Sequence, residues 1–322
     1  MQVLTKMTAV AVLISCSMAA VAADLAGAPI TFISPFPPGG GTDTLTRMTA
    51  TAISEDTGWN IVVENKPGAG GNLALDATAR ARPDGHTLVM AQTDNIVLNP
   101  WLYKKLSYDT FEDFTPVGLV ASSPSVFVVL PDSRFKTLDD VVNAAKAKPG
   151  QVSLGIPGIG GTGDLIGHLW RKEAGMELMH VPYRGWSQAF PDLMSGRIDM
   201  YTGSVASLLP QIRGGKVRAL AVVADQRSPA LPDVPTFTES GFPSINQTIW
   251  WGLMAAGKTP DDVIATLNTA LNKALAKPEL VQKLQDAGYS VMGGTAQEMG
   301  QRHRADHEVF GKVVQEAGIT KQ

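Results

Sequence analysis

The sequence predicts an α/β protein of two similar lobes, each a mainly parallel sheet flanked by helices, with a ligand cleft between the lobes. Three observations carry that prediction. Short apolar segments of strand character alternate with longer segments of helical character, the pattern of crossover units. The order strand, glycine-rich loop, helix, strand occurs twice. The 322 residues are 44% hydrophobic and 18% charged, enough for one large or two ordinary domains with real cores, so disorder is excluded as the main state.

In the first block, 29–36 is strand-like (Ile30, Phe32, Ile33, Phe36) and runs into Pro37-Pro-Gly-Gly-Gly. Residues 43–57 place Leu45, Met48, Ala52 and Ile53 on one helical face. A short strand at 60–64 precedes Lys66-Pro-Gly-Ala-Gly-Gly71, and an alanine-rich helix at 73–82 ends at Pro83-Asp84-Gly85. A third strand lies at 86–92. The pattern restarts with strands at 117–121 and 126–130, a helix at 138–148 and a strand at 152–156. Next come Gly158-Ile-Gly-Gly-Thr-Gly163, a helix at 164–174, a strand at 178–183, a helix at 187–195, and strands at 198–202 and 217–224. Pro229, Pro232, Pro235 and Pro243 exclude regular structure from the stretch that follows. A last strand at 250–255 leads to helices at 260–276 and 278–287, each opening on proline, which suits the first helical position. A long helix at 295–317 closes the chain. The C-terminal helices are expected to return to the first lobe. Lobe 1 is then 24–122 with 250–322, and lobe 2 is 123–249.

Residues 1–23 have the make-up of a secretory signal peptide: Lys6, an apolar run from Ala9 to Ile14, then small residues to Ala23. The apolar run is too short to span a bilayer. The one cysteine, Cys16, falls inside this segment, so cleavage after Ala23 leaves no disulfide, thiol nucleophile or Cys-ligated zinc. A second reading makes Leu13-Ile-Ser-Cys16 a lipoprotein box with Cys16 acylated. The net charge of −3 argues against a nucleic-acid partner.

Pro37-Pro-Gly-Gly-Gly-Thr-Asp43 and Pro157-Gly-Ile-Gly-Gly-Thr-Gly-Asp164 each join a strand to a helix. Such junctions point free backbone N–H groups and a positive helix end at the cleft, and glycine lets an anion approach closely. Two such ends, with the Thr42 and Thr162 hydroxyls, suffice for one carboxylate without a formal cation. Each loop alone reads as a tight turn with helix caps; the pairing of two matching loops favours a shared site. Asp43 is four residues from Arg47, so an ion pair is expected to neutralise it. Asp164 has His168 at that spacing and is expected to face a ligand ammonium or a water. Gln92-Thr93-Asp94, Tyr183-Arg184 and Thr202-Gly203-Ser204 follow strands and are candidate cleft walls; of Trp250 and Trp251, one is expected in the core and one at the cleft.

Other chemistries find little support. Gly158-x-Gly160-x-x-Gly163 formally matches a dinucleotide fingerprint, but the next strand ends in Tyr183-Arg184 rather than an acidic residue. His303 and His307 stand four apart without a third ligand cluster, beside Arg302, Arg304 and Asp306, and read as a solvated face. No nucleophile elbow, zinc-protease or phosphate-loop motif occurs. No cofactor and no catalysis are expected.

Several segments together carry a family resemblance. They are Pro35-Phe-Pro-Pro-Gly-Gly-Gly-Thr-Asp43 with Arg47, Val63-Glu-Asn-Lys-Pro-Gly-Ala-Gly-Gly71, Pro83-Asp-Gly-His-Thr-Leu88, and Leu106-Ser-Tyr-Asp109 with Asp113-Phe-Thr-Pro-Val117. Further on are Val181-Pro-Tyr-Arg-Gly185, Arg227-Ser-Pro-Ala-Leu-Pro-Asp-Val-Pro-Thr236 and Glu239-Ser-Gly-Phe-Pro243. In this order the chain resembles the solute-binding proteins of tripartite tricarboxylate transporters, the Bug-type extracytoplasmic receptors. The resemblance implies a two-lobe periplasmic binding protein fold of type II that closes on a small carboxylate, a di- or tricarboxylate or an aromatic acid. Its partner would be a membrane permease with one large and one small subunit, and the receptor is expected to be a monomer. It also implies that the two loops grip the ligand's proximal carboxylate, through Phe36, Gly40, Thr42 and Asp43 on one side and Gly160, Gly161, Thr162 and Asp164 on the other. Gln92, Thr93, Tyr183, Arg184 and Ser204 complete the expected site, with Arg184 the candidate for a distal carboxylate. The chain departs from the family pattern in its second loop: Gly155-Ile-Pro157 replaces polar residues, Asp164 stands where histidine is common, and His168 where glutamate is common. A receptor feeding a sensor, and an exported enzyme with a cofactor in its glycine-rich loops, are the other readings.

Overall fold

The computed structural model describes residues 25–319 and 321. The expected signal segment, its cleavage site and Cys16 lie outside the described residues. In the first lobe, β1 (Ile30–Ser34), α1 (Gly41–Thr57), β2 (Ile61–Asn65), α2 (Asn72–Ala79) and β3 (Thr87–Gln92) follow the predicted order. A π-type turn at Thr93–Leu98 and the short α3 (Asn99–Leu102) lead out of β3. β1 pairs in parallel with β2 and β3, so each connection is a crossover helix.

The expected strands at 117–121 and 126–130 are one strand, β4 (Phe114–Val129). Polar Ser122, Ser123 and Ser125 and the intervening Pro124 broke the apolar pattern without breaking the strand. They lie where β4 passes from one set of partners to the other. The second lobe holds α4 (Leu138–Ala147), β5 (Val152–Ile156), α5 (Thr162–Ala174), β6 (Leu178–Pro182), α6 (Trp186–Met194), β7 (Met200–Ser204), α7 (Val205–Arg213) and β8 (Arg218–Val223). The chain then returns through β9 (Thr248–Ala256), α8 (Asp261–Leu275), α9 (Pro278–Asp286), β10 (Ser290–Gly293) and α10 (Ala296–Glu316). Helix α7 and strand β10 had no reading in the sequence: Pro210 sits inside α7, and β10 has only four residues.

The strand order is β2-β1-β3-β9-β4-β7-β5-β6, with β8 and β10 also paired to β4. Pairing is parallel among β1–β3 and β5–β7 and antiparallel wherever β4 or β9 takes part. The two α/β lobes are as predicted, and their sheets are mixed rather than mainly parallel. Apolar runs such as Trp250–Ala255 mark a buried strand but do not encode its direction. Residues 114–124 of β4 pair with β9 in one lobe, and 125–129 pair with β7 and β8 in the other. Ser123 sits at that passage, accepting the Ala206 N–H (3.2 Å) and donating to Gly288 O (3.0 Å).

Apolar clusters cover both faces of each sheet. Leu165 of α5 is buried in the cluster that also holds Val89, Leu98, Leu102 and Trp250, so the second lobe is seated on the first. Among the described residues no helix is long and apolar enough to cross a membrane.

Candidate functional site

The two glycine-rich loops fold by the same local device. In the first, Asp43 on the opening turn of α1 reaches back to accept the Gly39 N–H (2.9 Å). In the second, Asp164 on the opening turn of α5 accepts the Gly160 N–H (2.7 Å). Gly39 (φ +79°) and Gly160 (φ +78°) hold left-handed backbone that only glycine adopts at little cost. Each aspartate therefore ties down its own loop. Asp43 also takes Asn65 Nδ2 (2.8 Å) and Arg47 Nε (3.1 Å). Burial pushes its pKa up, but Arg47, the Gly39 N–H and Asn65 outweigh it and hold the carboxyl below the usual range.

The loops differ in what meets their helix ends. Gly40 is the N-cap of α1 and no side chain caps that end, so its first N–H groups stay available to a ligand. Tyr289 Oη fixes this turn by donating to Gly41 O (2.7 Å). At the start of α5 the Thr162 N–H is already taken. The Asp94 carboxylate, from the turn after β3, accepts the Thr162 N–H at 3.0 Å and the Thr162 hydroxyl on the same oxygen. Asp94 thus acts as an N-cap supplied by the other lobe, a role worth about 1 kcal/mol. It keeps a small face on the cavity yet is crowded by protein on every other side. That burial pushes its carboxyl up, against the pull of the Thr162 bonds.

Between the lobes lies a cavity of about 680 Å³. The first lobe supplies the loop from Phe36 to Thr42, with Gln92, Asp94, Trp251 and Tyr289; the second supplies Pro157, Arg184, Trp186, Ser204, Ser207 and Arg213. Thr42 Oγ1 donates to Gln92 Oε1 (2.8 Å), and Trp251 Nε1 reaches both oxygens at 2.9 Å. Gln92 Nε2 is left facing Asp94 Oδ2 at 3.5 Å. Arg184 lines the wall; its backbone N–H bonds Gln188, and its guanidinium makes no ion pair among the described residues.

Of the expected site residues, Phe36, Gly40, Thr42, Gln92, Arg184 and Ser204 line this cavity. Asp43 does not, because its oxygens are bound by the Gly39 N–H, Asn65 and Arg47. Thr93 is fully buried and exchanges hydrogen bonds with the Trp250 backbone (3.0 and 3.5 Å). Gly160 packs against Leu102 of the first lobe, and Gly161 and Thr162 meet Asp94. Asp164 faces His180 Nδ1 (2.5 Å) and its own loop, not a ligand ammonium. Tyr183 turns its hydroxyl to Asp192 (2.9 Å). Trp251 is at the cavity, while Trp250 is buried with Nε1 on Asp306 (2.7 Å), the division that strand alternation predicts. Tyr289, Trp186, Ser207 and Arg213 were missed. Ser207 and Arg213 ride on α7, whose existence the sequence pattern hid.

Asp164, His168 and His180 bring three donor atoms within 4.8 Å of one another. Arg171 Nη1 lies 3.2 Å from His168 Nδ1, and a guanidinium can only donate. The neutral His168 ring then carries its proton on Nε2, which leaves no lone pair there for a metal. The surroundings instead hold Asp164 as a carboxylate: burial pushes that carboxyl up, but the hydrogen bonds from His180 and the Gly160 N–H, with the nearby His168, bring it below the usual range. His303 is buried with Nε2 on Ile96 O (3.0 Å), rather than on a solvated face.

Two α/β lobes that meet over a cavity with an open helix end have the architecture of a solute-binding protein. The chain matches the model of the tripartite tricarboxylate transporter family receptor over residues 45–319, and it belongs to that family. Members of this family are periplasmic solute-binding proteins. A UPF0065 protein from the tcbD–tcbE intergenic region of a Pseudomonas sp. is 39% identical over 289 residues, 89% of this chain and 86% of that protein. Among solved structures, R. palustris Rpa4515 with adipate is 30% identical, with a TM-score of 0.87 over 91% of this chain and 98% of that one. The periplasmic binding protein BugD is 31% identical, with a TM-score of 0.83 over 91% and 99%. MatC from Rhodopseudomonas palustris, with bound malate, is 30% identical, with a TM-score of 0.81 over 89% and 98%.

Proposed function

We infer that this chain is a non-catalytic periplasmic receptor that captures a small carboxylate by closing its lobes and delivers it to a membrane permease with a large and a small subunit. The observation that carries this reading is the uncapped start of α1, open to the interlobe cavity. A helix end favours an anion by about 0.3–1 kcal/mol in water and about 2 when partly buried. Phe36, Gly40, Thr42, Gln92, Arg184 and Ser204 are the expected contacts, with Arg184 the candidate for a distal acidic group in a ligand that carries one there. The adipate and malate held by the two related structures support a carboxylate ligand. Residues 1–23 are the export signal in this reading, lobe 1 is 24–122 with 250–322, lobe 2 is 123–249, and the receptor works as a monomer. Contacts to both lobes are required, because a ligand shifts the closed state only by its differential affinity.

A thermal-shift screen of mono-, di- and tricarboxylates, aromatic acids and amino acids tests the reading. Binding to the folded state alone adds about 2.7 kcal/mol at a hundredfold excess over Kd, enough to raise Tm by several degrees. No shift with any acid overturns it.

A further inference from the structure

We propose that Asp94, rather than the bound solute, is the carboxylate that bridges the lobes at the start of α5, and that it selects a solute whose end nearest α5 is an amide or ammonium donor instead of a second carboxylate. The inference rests on the receptor reading above and names its ligand class. The two loops are alike in sequence and in their backward-reaching aspartates. They differ in that one helix end is open and the other holds a carboxylate from the opposite lobe. Asp94 Oδ1 takes both Thr162 donors, the N–H and the hydroxyl. Oδ2 has only the Gln92 amide, at 3.5 Å, and Asp94 lines the cavity. Asp94 is therefore an acceptor with spare capacity facing the ligand space. Among the described residues no lysine, arginine or histidine pairs with it; of the two arginines on the same cavity, Arg213 spends a guanidinium N–H on Asp286 O (2.9 Å), and Arg184 stands on the wall of the second lobe. A ligand carboxylate placed against Asp94 Oδ2 would meet a like charge. An amide N–H or an ammonium would complete the unmet oxygen. The ligand's own carboxylate is then left to the α1 end, which Gln92 links to Asp94 through Thr42 Oγ1 (2.8 Å).

Calorimetry at fixed pH and salt tests the selection, with succinate against succinamate and glutarate against glutaramate, in the purified chain and in Asp94→Asn. The unaltered chain should bind each amide acid at least tenfold tighter than its dicarboxylate twin, and Asp94→Asn should erase or reverse that ratio. A preference for the dicarboxylate, or a ratio unchanged in the variant, overturns the selection while leaving the receptor reading intact. If none of the four acids binds either protein, the carboxylate reading and the selection fall together. The bridge is tested without ligand by small-angle X-ray scattering. Asp94→Ala should show a larger radius of gyration than the unaltered chain, and Thr162→Val should shift the same way. Equal radii in both variants overturn the bridge.

Discussion

Trp251 Nε1 serves two acceptors at once, Thr42 Oγ1 and Gln92 Oε1. All three side chains are buried, so the indole N–H satisfies oxygens that water reaches poorly. Trp251→Phe keeps most of the apolar ring and deletes the donor. Leaving a buried acceptor short costs about 1–3 kcal/mol. The urea midpoint should fall with the slope unchanged, and solute affinity should fall too because Thr42 is freed to rotate; an unchanged midpoint refutes the role. At this scale the sequence was informative about position and poor about direction. Thr42 and Gln92 were placed at the cleft from their loops, and strand alternation put one of Trp250 and Trp251 there without saying which. Asp43, Asp164 and Thr162 sit in the same loops, yet their side chains turn to Gly39, Gly160 and Asp94. A residue's place in a motif says which loop it belongs to. Where its oxygen points depends on partners up to 68 positions away, as Thr162 and Asp94 show.

At the scale of elements, strands and crossover helices were legible because periodicity and glycine punctuation are local. The crossing strand β4, the pairing direction of β9 and the existence of α7 were not, since each is decided by what packs against it. α10 is a case in point. His303 looked like part of a solvated face beside Arg302 and Arg304, yet it is 2% exposed, bonded to Ile96 O and stacked on Phe111 at 4.5 Å. Burial pushes its pKa down to about 4, despite the pull of the Ile96 carbonyl. An unfolded histidine takes up its proton near 6.5. Between about pH 6.5 and pH 4 the unfolded chain binds more protons, so stability falls as the pH drops through that window. The loss from this one group approaches about 3 kcal/mol at the low end, since a pKa unit is worth about 1.4 kcal/mol. Urea titrations at pH 7 and pH 4.5 should show it, and His303→Gln, which keeps a donor for Ile96 O, should lose less stability between the two. Equal losses in both proteins refute the assignment.

For the whole molecule, the question is what holds one lobe against the other. β4 runs through both sheets, so the lobes share a strand that can bend but not slide. Away from that strand, contacts between the lobes include Leu165 in the first lobe's core, Asp94 on Thr162, Arg213 Nη1 on Asp286 O (2.9 Å), the exposed Lys172–Glu316 pair at 3.0 Å, and Gly160 against Leu102. The exposed pair contributes little. Gly160 is the most sensitive to size. A Cβ there would lie 2.4 Å from Leu102 Cδ2 and 3.0 Å from its Cγ, in left-handed backbone at φ +78°. Leu102 is only 4% exposed, so it cannot swing clear. Gly160→Ala should therefore act as a wedge. The second lobe folds as before, but its loop no longer seats on α3, and the radius of gyration of the liganded protein rises. Affinity should drop at least tenfold, since the ligand must now pay for the displaced contact. Leu102→Ala removes the obstructing side chain, so the double variant should recover compaction in scattering while keeping the backbone cost of alanine at positive φ, about 1–2 kcal/mol. If the single variant closes as tightly as the unaltered chain, the Gly160–Leu102 contact does not govern closure. If the double variant stays open, the strain of the loop, rather than its fit against the first lobe, is what the glycine relieves.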